Sequence, residues 1–219
     1  MRASIFSIVA IVLTAYLATA AAHASMQDDV DQAATIIERF QEIPEKAIPT
    51  AVLREAKGLA ILTVTKAGFI VTGRGGTGIV VARTEKGWSG PSAIGTGGIG
   101  FGFQVGAQVS ELVIVLNTPE GVNAFSKGGN VTLGGALSVA AGPIGRDAEA
   151  SLTLGAAIYT YSRSQGLFAG VSLEGTVIAT RDEANAEYYD KPVEAKDILA
   201  GKVQPPAGAQ KLLQVLSKY

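Results

Sequence analysis

The chain has 219 residues, a formal net charge of −1 at pH 7, a single histidine and no cysteine. These counts exclude cysteine–histidine and serine–histidine nucleophiles, disulfide bonds, and the usual ligand sets of zinc, copper, haem and iron–sulfur centres, because the single histidine lies in a predicted leader. The near-neutral charge gives no sign of nucleic-acid binding, whereas 47% hydrophobic and 17% charged residues suit a folded protein with a packed core.

Residues 1–24 have the pattern of a secretory signal peptide. Arg2 provides a short positive start, residues 5–22 are apolar, and Ala-His-Ala at residues 22–24 is an A-x-A cleavage pattern. The apolar run is also long enough for an uncleaved N-terminal anchor. We predict cleavage, which removes the histidine and leaves one domain over residues 25–219. The expected location is therefore outside the cytoplasm.

Residues 25–57 are predicted to form N-terminal helices. Pro44 and Pro49 interrupt the helical period, and a second short helix fits residues 49–57. Apolar residues share one face of the first helix at helical spacing, namely Val30, Ala33 or Ala34, Ile37 and Phe40.

Residues 58–219 are predicted to form a β-rich core with C-terminal helices. Up to residue 181, about eight β-prone runs alternate with glycine turns at a spacing typical of hairpins. One helix interrupts them at residues 119–125, with Thr118 as N-cap and Pro119 at the first helical position. Helical periodicity returns after residue 185. The predicted fold class is α+β: an antiparallel β-rich sandwich or barrel-like core flanked by N- and C-terminal helices.

Residues 87–106 contain the only tryptophan, Trp88, and a strand unusually rich in glycine. Glycine weakens a strand, so a strand of this kind usually serves close backbone approach. From residue 100 onward one face is apolar, and the other carries only glycine and glutamine. The apolar face consists of Phe101, Phe103, Val105, Ala107 and Val109. This stretch is predicted to be a packing surface or a lipid-contacting surface.

Residues 73–78 and 95–100 both match G-x-G-x-x-G. A dinucleotide site needs a helix directly after that motif and an acidic residue about 20 positions further on. Here a strand pattern follows each motif. The glycines are therefore interpreted as turns and crowded strand positions, and no nucleotide is predicted.

Asp147 and Glu149 are the remaining candidates for chemistry, since paired carboxylates hydrolyse glycosidic bonds without histidine or metal. In a strand the two would share a face, but a solvated charge cluster with the neighbouring Arg146 explains them equally well. A histidine-free hydrolase remains an alternative. We predict that the protein is not an enzyme and has no catalytic residue, no metal site and no cofactor.

Residues 54–86 carry an excess of basic side chains. Only Glu55 and Glu85 oppose the cations, which are Arg54, Lys57, Lys66, Arg74, Arg83 and Lys86. Each cation near an anionic lipid surface contributes about 1 kcal/mol to attachment. Ordinary solvated side chains at turn ends would give the same pattern. As candidate lipid contacts we name Lys57, Lys66, Arg74 and Arg83 for headgroups, and Trp88, Phe101 and Phe103 for apolar contact.

An ordered series of motifs extends from about residue 33 to the C-terminus. It comprises residues 56–61, 66–70, 73–78, 88–94, 142–146 and 161–173, Asn185 with Tyr188 and Tyr189, and residues 197–201. No single motif is specific, but the series resembles the SYLF domain family, a lipid-binding module of a yeast actin-patch protein and of plant FYVE-containing proteins. The resemblance implies binding of membrane lipids, particularly phosphoinositides in eukaryotic members, and in some members binding of actin filaments. It implies no catalysis.

Two features separate this chain from the eukaryotic members. Those members owe lipid contact largely to a basic amphipathic N-terminal segment, whereas residues 27–31 are acidic here. The predicted leader also places the chain away from cytoplasmic actin. The resemblance and the leader together imply an exported bacterial relative, located in the periplasm or outside the cell and attached peripherally to a membrane. It is expected to bind membrane phospholipid through its glycine-rich face and basic patch, with neither nucleic acid nor actin as a partner.

A second hypothesis is a structural or protein-interaction module of the cell envelope. Glycine-rich strands allow tight sheet stacking, and the apolar content fits self-association or the docking of another chain. Vesicle binding would favour the lipid hypothesis. A stable oligomer that ignores lipid would favour the second.

Overall fold

The computed structural model describes residues 25–42, 44, 47–128, 130–132, 139–143, 156–166 and 177–219. For residues 68–72, 99–106, 139, 141 and 165–166 the description covers the backbone but not the side chains. The predicted leader at residues 1–24 lies outside the described residues. So do Asp147 and Glu149, and so do the side chains of Phe101 and Phe103.

Helices lie near both ends of the described chain, and one interrupts the strands. They are α1 (Met26–Gln41), α2 (Thr50–Glu55), α3 (Pro119–Ser126), α4 (Asp182–Tyr188), α5 (Ala195–Leu199) and α6 (Gln210–Leu216), with a 3-10 turn at Ala207–Ala209. Ser25 and Asp28 form a capping box at α1, each side chain accepting from the other's backbone N–H at 3.2 Å. Thr118 caps α3 by accepting from the Gly121 N–H at 3.2 Å, so the predicted helix start is confirmed.

The strands form one curled seven-stranded sheet in which β1 and β3 are by far the longest. The strands are β1 (Gly58–Thr84), β2 (Gly87–Trp88), β3 (Ser92–Leu116), β4 (Asn130–Thr132), β5 (Val139–Ala141), β6 (Ile158–Gly166) and β7 (Val177–Thr180). The order β2-β1-β3-β6-β5 is extended by β7, which pairs with β3 and β4. The β5–β6 pair is parallel, and the other pairs are antiparallel. The predicted α+β class with an antiparallel core and flanking helices is confirmed.

Strands β1 and β3 form a hairpin that folds back on itself at its middle. The register shifts between Phe69 and Val71. Beyond the shift, the second half of β1 returns to the first half. At the far end the Arg83 N–H donates to the Lys57 carbonyl at 2.8 Å. Residues 76–83 of β1 therefore lie against residues 57–64, which include the start of the same strand.

Gly76 and Gly78 permit this close approach. A Cβ at Gly78 would contact the carbonyl oxygen of Ile61, and a Cβ at Gly76 would contact that of Thr63. No side chain fits where two backbones meet, so only glycine suits these positions.

The sheet has two packed faces. The outer face carries the odd-numbered residues of the β1–β3 hairpin outside its middle, and it packs on helices α1 and α6 through residues such as Ile61, Ile79 and Val113. The inner face carries the even-numbered residues and encloses a second core, which α3 supplements with Phe125. Because strand side chains alternate, two adjacent apolar residues serve two different cores.

The predicted division of residues 59–83 into separate strands at glycine turns is wrong. β1 continues unbroken from Gly58 to Thr84. Among the described residues, the glycines with positive φ are Gly87, Gly128 and Gly201, and none of them lies within residues 73–78. The glycines of that stretch serve close approach between extended strands, which a sequence pattern does not distinguish from turns.

Both G-x-G-x-x-G matches lie inside strands, at residues 73–78 of β1 and 95–100 of β3, and no helix follows either one. The rejection of a dinucleotide site is consistent with this geometry. In the part of the chain that the structure describes, no helix has the length and apolar character needed to cross a membrane. Over the same residues, no group of three acidic or histidine side chains could hold a metal ion.

Candidate functional site

The fold of the hairpin creates an apex, which we define as residues 65–75 of β1 and 97–109 of β3. Thr65 and Gly75 each lie five residues from Ile70 in β1. Thr65 pairs with Val109 of β3 and Gly75 pairs with Gly97, so the two pairs are equally far along β1 from the fold. The sequence of the apex is almost free of charge: residues 67–73 and 88–110 contain no charged side chain. The charged side chains of the apex are two cations in β1, one before and one after Ile70.

Those two cations are Lys66 and Arg74, each four residues from Ile70 in β1. The contacts of Gly78 and Gly76 with the first half of β1 advance by two residues at a time, and Arg74 is the next residue in that series. The Arg74 side chain lies over Gly98, where a Cβ would stand 2.9 Å from Arg74 Nε. Two of the predicted headgroup contacts thus lie in the apex.

The other two predicted headgroup contacts, Lys57 and Arg83, lie at the opposite end of the folded hairpin, which we call the base. Lys57 is exposed. Arg83 is engaged internally: its Nη2 donates to the Leu53 carbonyl at 3.0 Å, and its guanidinium lies 4.0 Å from the centre of the Trp88 ring. Burial lowers the pKa of Arg83 from its ordinary value. The structure therefore divides the predicted basic patch into an apex pair and a base pair.

Trp88 is a structural residue of the base. Its Nε1 donates to the Leu216 carbonyl at 3.0 Å, which ties the hairpin to helix α6. Beside it, the Ser89 Oγ accepts from the Ala82 N–H at 3.0 Å. The Tyr189 Oη donates to the Pro91 carbonyl at 2.9 Å, and a Cβ at Gly90 would contact that hydroxyl. The tryptophan motif thus anchors the C-terminal helices.

Asn185 of helix α4 adds a further contact between the C-terminal helices and the start of β3. Its side chain is fully buried. Asn185 Oδ1 accepts from the Ala93 N–H at 2.7 Å, and its Nδ2 donates to Ser92 Oγ at 3.1 Å. A buried amide with both functions satisfied fixes one orientation of α4 against the start of β3.

The inner side of the apex is polar. Gln108 is only 2% exposed, and Ser110 is also buried. Gln108 Nε2 donates to Ser110 Oγ at 3.1 Å, and Ser110 Oγ lies 3.0 Å from Ser164 Oγ on β6. Gln108, Ser110 and Ser164 are therefore bonded to one another across β3 and β6.

The outer side of the apex is apolar and exposed. Ala107 and Val109 lie on it, and Val109 is 43% exposed. The other large apolar side chain with high exposure in the described chain is Val177 of β7, at 37%. Thr96 pairs with Ile178, so Val177 lies beside Gly97 at the level of Val109. For the apex side chains that the structure describes, the exposed Val109 and the buried Gln108 reverse the usual arrangement of a sheet in water, with polar residues outside and apolar residues inside.

Asp29, which the sequence pattern did not single out, pins helix α1 to the glycine-rich strands. It accepts from Thr77 Oγ1 at 2.6 Å and from Arg181 Nη1 at 2.9 Å, and it is almost fully buried. Burial raises the pKa of Asp29, and the bonds from Thr77 and Arg181 oppose that rise. Its position on the buried face of an amphipathic helix, in phase with Val30 and Ala33, was the signal that it points inward.

A second polar anchor holds the other end of α1. Arg39 pairs with Glu111, a buried carboxylate of β3, and Gln32 donates to the same oxygen at 3.5 Å. Arg163 of β6 donates to the Arg39 carbonyl at 3.2 Å. Helix α1 is thus fixed at both ends by polar contacts, with its apolar face in the outer core.

A cleft of about 720 Å³ lies between helix α3, the start of α4 and residues 191–203. Its ionisable side chains are three cations and three anions, namely Lys127, Lys191, Lys196, Asp182, Glu194 and Asp197. Lys196 is paired with Glu194 at 2.6 Å. The balanced charges give this cleft no clear preference for an anion or a cation.

Comparison with known proteins gives a consistent result. The profile of the Ysc84 family, described as "Las17-binding protein actin regulator", matches residues 97–219. The chain is 51% identical over 203 residues to the human SH3 domain-containing YSC84-like protein 1, covering 89% of this chain and 59% of that protein. It is 47% identical over 204 residues to the Xenopus laevis protein of the same name, covering 89% and 61%.

A yeast protein extends the comparison. LAS seventeen-binding protein 3 of Saccharomyces cerevisiae is 45% identical over 202 residues, covering 88% of this chain and 44% of that protein. The chain thus spans about half the length of these relatives. Their names point to binding or regulatory proteins. The expectation that actin is not a partner is wrong, because the matched family is described as an actin regulator and its relatives are named for Las17 and SH3 domains. That expectation depended on the leader alone.

Proposed function

Because the chain belongs to the Ysc84 family of Las17-binding actin regulators, we propose that it is a non-catalytic module that attaches to anionic membrane lipid and binds a protein of the actin machinery. The lipid part of this proposal depends chiefly on one observation. Lys66 and Arg74 lie at equal distances in sequence from the fold of a glycine-rich hairpin, and the other residues of the apex carry no charge.

Charge and geometry support a headgroup site at this pair. A phosphate diester carries one negative charge, and two neighbouring cations can contact it together. Glycines flank the pair at residues 73, 75, 76, 97 and 98, so little side-chain bulk stands between an approaching headgroup and the backbone. The base pair lacks this setting, because Arg83 is committed to Leu53 and Trp88.

Vesicle co-sedimentation tests the lipid part. The chain is expected to bind vesicles that contain phosphatidylserine more strongly than vesicles of phosphatidylcholine. Each cation contributes about 1 kcal/mol, so removing both with Lys66→Gln and Arg74→Gln should weaken binding about 30-fold. The matched control is Lys57→Gln with Lys86→Gln, which removes the same charge from exposed residues of the base. Equal losses in both variants would contradict the apex site and leave only a general charge effect.

Co-sedimentation with actin filaments tests the protein part. We expect the chain to pellet with filaments, or with filaments only when Las17, the partner in the family's description, is added. Absence of pelleting under either condition, at a salt concentration where the protein is folded, would contradict this part. It would leave the lipid part standing.

Self-association is the alternative to lipid attachment, since the exposed Val109 and Val177 could pack on a second copy. Light scattering of the purified chain separates the two. A monomer that binds vesicles supports the lipid proposal, whereas a stable oligomer that ignores vesicles supports the alternative.

A competing proposal, which rests on the leader pattern at residues 1–24 alone and does not hold together with a partner in the actin machinery, is that the chain is exported from a bacterial cell. N-terminal sequencing of the protein from its native source tests this. A chain that starts at or near Ser25 supports export. A chain that retains residues 1–24 in the soluble cell fraction contradicts it.

A further inference from the structure

The reversed polarity of the apex indicates how the protein meets a membrane, beyond a contact between charges. An apolar outer surface over an internally bonded polar interior is what a hydrocarbon environment selects, because lipid tails solvate apolar side chains and cannot satisfy polar ones. In water, the same arrangement exposes Val109 and Val177 without benefit.

We propose that the apex of the folded hairpin inserts into one leaflet of a phospholipid bilayer, with its outer face among the acyl chains and with Lys66 and Arg74 at the level of the headgroups. This inference depends on the proposed attachment to lipid and specifies its geometry. It assigns the apolar contact to the outer apex, with Ala107, Val109 and Val177 as described members, rather than to Trp88.

The lengths agree with this placement. A strand rises about 3.3 Å per residue, so the four residues from Lys66 to the fold at Ile70 reach about 13 Å. Half of a bilayer's hydrocarbon core is about 15 Å thick. The seven uncharged residues between Lys66 and Arg74 are therefore long enough to enter one leaflet and too short to cross the bilayer.

Part of the polar groups of the apex is already bonded. The β1–β3 ladder pairs residues on both sides of the fold, from Thr65↔Val109 to Gly75↔Gly97, apart from the irregularity next to Phe69. This ladder bonds the backbone groups on the edge that the two strands share. The inner side chains Gln108 and Ser110 are bonded to each other, so insertion leaves them with their partners.

Depth-dependent quenching tests this inference on the full chain. The protein contains no cysteine, so one introduced cysteine carries one label. Ala107→Cys places a bimane label on the outer apex. Ala200→Cys is the matched control, since it is also an exposed alanine but precedes Gly201, which packs on Thr84 at the base. The vesicles contain phosphatidylserine and phosphatidylcholine brominated in the upper part of the acyl chain.

We expect bromine to quench the label at residue 107 at least twofold and to leave the label at residue 200 unchanged. Val109→Asp should weaken vesicle binding about tenfold, because it replaces an apolar side chain in lipid by a charge. Ala200→Asp should leave binding unchanged. The fluorescence of Trp88 and the denaturation midpoint verify that each variant is folded.

Three outcomes would overturn the inference. If the protein binds vesicles but neither label is quenched, the attachment is only to headgroups, and the proposed lipid function survives without insertion. If no vesicle binding occurs, both fail together. If the label at residue 107 is shielded without vesicles and the protein elutes as a dimer, the outer apex is an interface between two copies.

Discussion

The base and the apex of the folded hairpin use the same glycine-rich β sequence for opposite purposes. At the base, Trp88, Tyr189 and Asn185 direct their polar groups into hydrogen bonds with backbone atoms, and the C-terminal helices pack on the strands. At the apex, Val109 is 43% exposed, and the cations Lys66 and Arg74 border residues 67–73, which carry no charge. A motif that marks the family therefore need not mark its binding surface. The tryptophan motif stabilises the fold, and the proposed contact with lipid lies at the apex instead.

The largest effect is expected where the two halves of β1 touch. In Gly78→Ala the new Cβ would meet the backbone of Ile61, which neither side-chain rotation nor a small shift relieves. Overpacking of this kind should lower the free energy of unfolding by at least about 3 kcal/mol. The control is Gly97→Ala at the apex, where the nearest atom is Arg74 O at 4.0 Å and no loss is expected. Urea denaturation of the parent, Gly78→Ala and Gly97→Ala measures the difference. Equal midpoints for Gly78→Ala and the parent would contradict the close contact between the two halves of β1.

Loss of the buried amide at the base should have the next largest effect. Asn185→Ala leaves the Ala93 N–H without a partner in the interior, and this should lower the free energy of unfolding by about 2–3 kcal/mol. Asn123→Ala, on the exposed side of α3, should change it by less than about 0.5 kcal/mol. The account of the base would be wrong if both variants melted at the same temperature as the parent.

Arg83→Lys is a finer test of the base. Lysine keeps the charge but loses the planar stacking on Trp88 and the reach to the Leu53 carbonyl. The free energy of unfolding should fall by about 1 kcal/mol. Arg54→Lys, at an exposed neighbour, should leave it unchanged. If instead Arg83→Lys left stability intact and weakened vesicle binding, Arg83 would belong to the lipid site.

Asp29 gives a pH-dependent effect. Burial raises its pKa in the folded state above the ordinary 3.8, so folding favours the protonated form. The stability that this proton linkage provides is fully present below pH 3.8 and is lost as the pH rises through the folded-state pKa. The stability of the parent relative to Asp29→Asn should therefore decrease as the pH rises over that window. Denaturation curves at a series of pH values measure this difference, and a difference that increased with pH would contradict it.

Much of the architecture could be predicted from the sequence. The periodicity of α1 and the cap and proline of α3 are local signals that determine local structure, and both helices form where they are expected. The alternation of apolar residues gave the strands and the α+β class. The continuity of β1 was missed because glycine in an extended strand and glycine in a turn look alike in sequence.

The site was only partly predictable. Lys66 and Arg74 were named as lipid contacts along with Lys57 and Arg83, but only the fold at Ile70 divides the four residues into two pairs. The sequence did not identify Asp29 and Glu111 as buried anchors of helix α1. Their partners, Arg181 and Arg39, lie far from them in sequence, so the ion pairs become visible only in the fold. The role of the apex aromatics Phe101 and Phe103 stays a prediction.

Hydrogen–deuterium exchange of the full chain, with and without anionic vesicles, tests the contrast between base and apex most directly. Insertion would exclude water from the apex, while the base would keep its existing hydrogen bonds. The account predicts new protection in residues 65–75 and 97–109, and no change in residues 83–92 or in α4 and α6. Protection confined to the base or the C-terminal helices, with the apex unchanged, would contradict it.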